Sequence, residues 1–204
     1  MLQGTLVSIE VFFLTLLFSL PLGLPIAAAR MSRFKPLSLL ANVFMLVIRG
    51  TPLMLQLIFV YFAPYHIFGV SYDRFTAAII ALSVNYAAYF AEIYRGGIQS
   101  IPRGQYEAAK VLGYSRGQTF FRIVLPQVFK QIIPATGNEV ITLVKDTALV
   151  QVIGVTELLR VAQTQSSRLF STTPIFVAGV FYFVMNWFVS ELFIIIEKKL
   201  SYYR

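Results

Sequence analysis

The stretch LVSIEVFFLTLLFSLPLGLPIAAA, Leu6–Ala29, decides the fold. Its 24 residues carry one charged side chain, Glu10, near the start. As a helix the run reaches about 36 Å, more than the roughly 30 Å of hydrocarbon in a bilayer. No basic residue precedes it, and Arg30, Arg33 and Lys35 follow it directly. It is too long for a signal peptide and reads as a retained membrane span.

Four further stretches meet the same standard: Leu37–Phe62, Phe75–Tyr94, Ile132–Ile153 and Pro174–Ile196. The chain of 204 residues is 57% hydrophobic and 13% charged, half the charged share of a soluble domain. A mean hydropathy of +0.73 agrees. These figures exclude a water-soluble globule and intrinsic disorder. The absence of cysteine excludes a disulfide frame and thiolate metal sites. The expectation is therefore an all-α integral membrane protein, one domain over residues 1–204, with five transmembrane helices.

Orientation follows from the cations, because short cytoplasmic loops carry the excess of Lys and Arg. With the N-terminus outside and the C-terminus cytoplasmic, twelve of the seventeen lie inside. Arg74, Arg160 and Arg168 fall outside, and Arg49 and Lys145 fall within spans. The net charge of +8 is thus a topology signal and a contact for anionic headgroups, not a nucleic-acid footprint.

The longest inside loop, about 95–130, is organised. After the breaker Ile101-Pro102-Arg103-Gly104, Gln105–Leu112 reads as a short helix closed by Gly113. Ser115 is a fitting N-cap for a second helix, Ser115–Val124, running to Leu125-Pro126. Glu107 and Lys110 are spaced to pair on the exposed face of the first helix.

Glu107-Ala108-Ala109, then Gly113, Ile123 and Leu125-Pro126, resemble the EAA–G–I-LP signature of permease subunits of type I ABC importers. Arg49-Gly50-Thr51-Pro52-Leu53 with Gln56, and Ala91 through Ile98 (AEIYRGGI), resemble its polar amino-acid branch. The resemblance implies a multi-pass protein of the bacterial cytoplasmic (inner) membrane, working as a homo- or heterodimer of permease subunits. It further implies two cytoplasmic ATPase subunits carrying ATP and Mg, and an extracellular or periplasmic solute-binding protein delivering the amino acid. In this reading the chain binds no cofactor and is not an enzyme. The EAA helix would be a coupling helix seated on the ATPase: Glu107 touches the partner, Ala108 and Ala109 allow close approach, Gly113 turns the chain, and Leu125-Pro126 aims it into the fourth span.

Polar side chains inside the spans are the remaining signal, since each is costly at bilayer depth unless it faces protein or water. At 100° per residue, Asn138, Glu139, Thr142, Lys145 and Asp146 share one arc of roughly 120° on the fourth span. Asn85 and Glu92 share a face of the third. Two readings fit the stripe: charges satisfying one another at a helix interface, or groups lining a path for a zwitterion. Five polar groups exceed what a structural pair needs, which favours the path. Asp146 and Asn138 are the leading candidates for substrate contact, with Lys145 as an internal counter-ion. Three acids, Glu92, Glu139 and Asp146, against Arg49 and Lys145 tilt the substrate towards a basic or broadly polar amino acid.

Gly50-Thr51-Pro52 interrupts the second span, and Pro52 frees the carbonyl four residues earlier. Either this is a packing kink, or it lines the path with Thr51, Gln56 and Arg49. The segment 156–173, with a possible surface helix over Glu157–Thr164, reads as an outside connector or a contact for the binding protein. No GxxxxGK[ST] motif occurs, and one His with no Cys leaves out the usual triads and metal sites. An acid–base enzyme built on Glu139 and Asp146 would leave the EAA loop without a purpose. An ion-coupled secondary transporter or channel is the stronger alternative; it needs no docking helix and would show inverted repeats, which are not evident.

Overall fold

A computed structural model describes residues 1–201, and among them every regular element is helical. In chain order these are α1 (Leu2–Arg30), α2 (Lys35–Gly50), α3 (Leu53–Phe68), α4 (Arg74–Gln99), α5 (Arg103–Val111), α6 (Arg116–Thr119), α7 (Leu125–Asp146), α8 (Leu158–Leu169) and α9 (Thr173–Ser201). One π turn, Phe120–Val124, joins α6 to α7, and a 3₁₀ segment, Thr147–Ile153, extends α7.

Helices α1, α4 and α9 are each long and apolar enough to cross a membrane. The expected fourth span is α7, whose polar stripe makes it less apolar than these three. The second expected span, Leu37–Phe62, is divided: α2 and α3 meet at 109° across Thr51-Pro52. Each has 16 residues, about 24 Å, so neither alone matches the hydrocarbon thickness. The break falls where the sequence places it but turns far beyond a kink.

Its chemistry is legible in the hydrogen bonds. The carbonyl that Pro52 deprives of a donor is that of Ile48, and the Gln56 amide nitrogen donates to it at 2.7 Å. Thr51 Oγ1 donates to the Val47 carbonyl at 2.8 Å and accepts from the same Gln56 nitrogen. Asn85 of α4 donates to Gln56 Oε1 at 2.9 Å, tying the corner to the buried centre of the bundle. Gln56→Leu, similar in size, leaves the Ile48 carbonyl without that donor. An unfolding midpoint in detergent lowered by a loss of about 1–3 kcal/mol is the expected result.

The core forms around α4, which buries Ala77, Ala78, Ala81, Leu82, Tyr86, Ala88, Phe90 and Ala91. α1 lays down a stripe repeating every four residues or nearly so, Gly4, Ser8, Val11, Thr15, Ser19, Gly23 and Ala27, all buried; Gly4 and Ser8 meet the start of α8, and Gly23 meets α4. Lipid supplies no hydrophobic force between helices, so such small residues allow the close approach on which packing depends. This stripe is readable in the sequence, at a spacing of about four residues. Pro21 and Pro25 lie inside α1 without ending it.

Where α4 meets α7, a Cβ on Gly97 would overlap Ile132 and meet Val128 Cγ1 at 3.2 Å. Gly97→Val therefore forces the two helices apart, and a sharply lower yield of folded protein by size-exclusion chromatography is expected.

The loop over 95–130 follows its sequence closely. Helix α5 ends in a Schellman pair: Gly113 N donates to the Lys110 carbonyl and Tyr114 N to the Ala109 carbonyl, with Gly113 at φ 75°. Ser115 caps α6 in a reciprocal capping box with Gln118. Leu125-Pro126, expected to end the second helix, does not. The π turn before it widens the spiral, so Pro126, lacking an N–H, sits in the first turn of α7 and the chain continues helical into it. Glu107 and Lys110 form no ion pair; the ion pairs among the described residues all converge on Glu92.

The expected surface helix is α8, and it is anchored more firmly than a connector. Glu157 is wholly buried, and its carboxylate accepts from Leu159 N and Arg160 N at 2.7 Å each and from Tyr182 Oη of α9 at 2.8 Å. Leu158 N donates to Ser8 Oγ, joining the start of α8 to α1. Burial pushes the Glu157 carboxyl above its ordinary value near 4.5, partly offset by these donors. A raised acid makes the folded state the tighter proton binder. Its contribution is therefore complete below the unfolded value near 4.5 and is lost as pH rises through the folded value. The local stability of α8, read by amide hydrogen exchange, should fall as pH rises across that interval, and Glu157→Gln should flatten the dependence.

Candidate functional site

The polar stripe of α7 divides by depth. Gly137, Val140, Leu143 and Val144 are buried inside the bundle, which fixes the rotation of the helix. Asn138, Thr142 and Lys145 consequently lie exposed on the open face of the single chain. Glu139 and Asp146 sit half-buried at the edge facing α4. Thr142 Oγ1 donates to the Asn138 carbonyl at 2.9 Å, so its hydroxyl is partly committed to its own helix.

Asp146 is held by a residue that sequence reasoning missed. Tyr86 of α4 donates its hydroxyl to Asp146 Oδ2 at 2.7 Å, and Tyr86 is itself 2% exposed. One carboxylate oxygen is thereby positioned by a rigid, buried ring. Tyr89, one helical turn on, lies beneath the Arg49 guanidinium at 5.2 Å, and Arg49 is close enough to Glu139 to interact electrostatically. The site is thus a wall of α7 carboxylates, amide and ammonium, backed by two tyrosines of α4.

The other intramembrane candidates separate from it. Asn85, Gln56 and Thr51 spend their polar atoms on one another and on the broken helix. Glu92 lies at the cytoplasmic-reading end of α4 and pairs with Arg30 of α1 and with Arg95, with Arg49 at 3.8 Å. Arg30 of α1 is therefore joined to α4 through Glu92, which Arg95 reaches from one turn on along α4 itself. No spacing rule links residues 30 and 92, so nothing in the sequence points to that pair.

In the loop, Glu107 and Ala108 are exposed, whereas Ala109 is fully buried against its own chain. The two alanines thus have different surroundings: one lies open for an approaching surface and the other seats the helix. Val111 and Leu112, 87% and 73% exposed at the tip, add an apolar patch that the sequence reading did not single out. Gly113 forms the turn, while Leu125 and Pro126 open α7.

Residues 19–202 match the family described as binding-protein-dependent transport system inner membrane component. The arginine transport system permease protein ArtQ of Bacillus subtilis (strain 168) is 38% identical over 201 residues, covering 98% of this chain and 92% of that one. The L-cystine permease protein TcyB of the same organism is 39% identical over 202 residues, covering 98% and 86%. A putative glutamine permease protein GlnP of Rickettsia felis is 36% identical over 199 residues, covering 97% and 91%. Among solved structures, an amino acid ABC transporter crystallised with histidines superposes with a TM-score of 0.90 at 38% identity, covering 97% of this chain and 92% of that one. An inward-facing MetNI methionine transporter shares the fold, at a TM-score of 0.77 and 20% identity over 98% and 95% of the two chains.

Proposed function

The chain belongs to the family of inner-membrane components of binding-protein-dependent transport systems, and from that membership we propose that it carries a polar amino acid across the membrane by alternating access. It is a permease subunit of an ABC importer; it is not an enzyme, and the ATPase is a separate subunit. That membership agrees with the importer reading of the sequence over the ion-coupled transporter.

The observation that carries the proposal is the rotation of α7. Its apolar face is used up inside the chain, and Asn138, Thr142 and Lys145 of its polar face are left exposed, so a second permease subunit facing them would enclose an aqueous path. Five spans with the N-terminus outside complete this arrangement. Glu139 and Asp146 then receive the ammonium groups of the substrate, Asn138 and Thr142 its carboxylate, and Lys145 balances the acids. Glu92, already engaged by arginines, no longer counts towards a basic substrate; Glu139 and Asp146 still do.

Exposed Glu107 and Ala108, with Val111 and Leu112, form the surface on which an ATPase subunit docks. Closure of the nucleotide sandwich moves α5, and the unbroken α6–π–α7 rod delivers that motion to the stripe. A solute-binding protein supplies the amino acid from outside, near α8. The test is ATP-driven uptake of labelled amino acids in proteoliposomes holding permease, ATPase and binding protein. Uptake that requires all three, favours polar or basic amino acids and persists without an ion gradient supports the proposal; uptake driven by an ion gradient without ATP overturns it.

A further inference from the structure

Helix α8 ends on an aromatic residue that is both strained and bare. Phe170 follows its last residue in the left-handed region, at φ 49° and ψ 39°, and is the one non-glycine residue of positive φ among those described. A bulky side chain crowds its own carbonyl there, so glycine is the default at such a position. Phe170 is also 97% exposed and Leu169 before it 64%, so neither is repaid by contacts within the chain.

The turn that presents them is tied at several points. Phe170 N and Ser171 N both donate to the Ser166 carbonyl, Ser166 Oγ donates to the Ser171 carbonyl, and Ser171 Oγ lies 2.9 Å from Thr173 Oγ1. The base of α8 is fixed in turn through Tyr182 on Glu157 and Leu158 on Ser8. Sparsely populated conformations persist where the surroundings over-determine them, and they gather at ligand clamps.

Depth decides what can cover the tip. Thr173 opens α9 directly after it and stands about 37 Å along that helix from Lys198, or about 35 Å at an average tilt. A Cβ on Gly4 would meet Leu158 at the base of α8, and Gly4 stands about 39 Å along α1 from Arg30. Measured from those cations, both distances exceed the roughly 30 Å of hydrocarbon, so the tip clears the acyl chains. Arg160 and Arg168 lie exposed on the same helix, and neither forms an ion pair among the described residues. They are two of the three cations that the proposed orientation places outside, where short loops carry few.

We propose that Leu169 and Phe170 are the apolar anchor, and Arg160 and Arg168 the basic flank, on which the solute-binding protein docks through an apolar pocket with an acidic rim. The matching family is binding-protein-dependent, and this rigid, unpaired tip beyond the hydrocarbon is where such a protein finds an apolar hold. The site rests on the importer reading and its orientation, and it assigns to named residues a contact otherwise placed only near α8.

The experiment measures ATP hydrolysis by the permease–ATPase complex in nanodiscs against the concentration of the amino-acid-loaded binding protein of the same system. Phe170→Asp should raise the concentration for half-maximal stimulation about 30-fold, the loss of a central aromatic anchor, with the complex still assembled. Phe170→Gly relieves the backbone while removing the ring, so it should keep the unfolding midpoint and show the same loss. Arg160→Glu with Arg168→Glu should slow association and abolish its salt dependence. Phe170→Trp in a Trp187→Phe background gives a single tryptophan whose emission brominated acyl chains should leave unquenched. Quenching by those chains assigns the tip to lipid, and dissociation of the permease dimer in Phe170→Asp assigns it to the second subunit; either overturns the site. Stimulation of the intact complex that Phe170→Asp and Phe170→Gly leave unchanged overturns the site alone. An intact complex that no binding protein stimulates overturns the importer reading, and the site with it.

Discussion

Asp146→Ala is expected to raise the amino-acid concentration for half-maximal uptake by about 10- to 100-fold, with the complex still assembled. The magnitude follows from removing one hydrogen bond to a charged group, roughly 1.5–3 kcal/mol in a site sheltered from water. Tyr86→Phe separates two causes. It keeps the ring that packs in the core and removes only the hydroxyl that donates to Asp146 at 2.7 Å. If Asp146 meets the substrate and Tyr86 positions it, Tyr86→Phe gives a smaller loss in the same parameter. Should both variants change the maximal rate alone, with half-saturation unmoved, Asp146 is a bundle-stabilising group and not a substrate ligand. The measurement is initial uptake against substrate concentration in proteoliposomes.

Gly113→Val is the second large expected effect. Gly113 adopts φ 75°, and the pair of hydrogen bonds closing α5 depends on it. A β-branched residue there costs at least about 1–2 kcal/mol in the left-handed region, and the chain avoids that cost by opening the turn. No atom lies within 4 Å of a Cβ at this position, so the damage is backbone conformation and not a clash. Helix α5 then loses its fixed angle to the α6–α7 rod. The expected result is ATP hydrolysis that no longer responds to binding protein and amino acid, with uptake below about a tenth of the unaltered level. Gly113→Asn, whose side chain tolerates the same conformation, should retain much of the coupling. Coupling preserved in Gly113→Val would mean that the angle of α5 is not what transmits the movement.

Both expectations concern positions that the sequence already marked, and the reason is that each is local or periodic. Gly113 ends a helix within a few residues of its own cap. The α7 stripe follows from an angle of 100° per residue, and Pro52 removes a donor whose lost partner is four residues away. Such features need no knowledge of what lies across the bundle. The same holds for the small residues of α1, which were legible at a spacing of about four and simply not read.

Other features depended on which helices approach which. Arg30 counted as an orientation charge until the packing of α1 on α4 brought it to Glu92, 62 positions away. Tyr86 was one aromatic among eleven tyrosines until α7 placed Asp146 against it. Glu157 read as a surface acid, because nothing local foretells that Tyr182 and two backbone amides will bury it. The composition, periodicity and breakers of this sequence determined a helical membrane protein, the place of its broken helix, its polar stripe and the helices of its 95–130 loop. Tertiary structure alone decided the pairing of charges on different helices and the exposed face of each helix, because such a charge pairs with whatever helix packing brings within about 4 Å, at any distance along the chain.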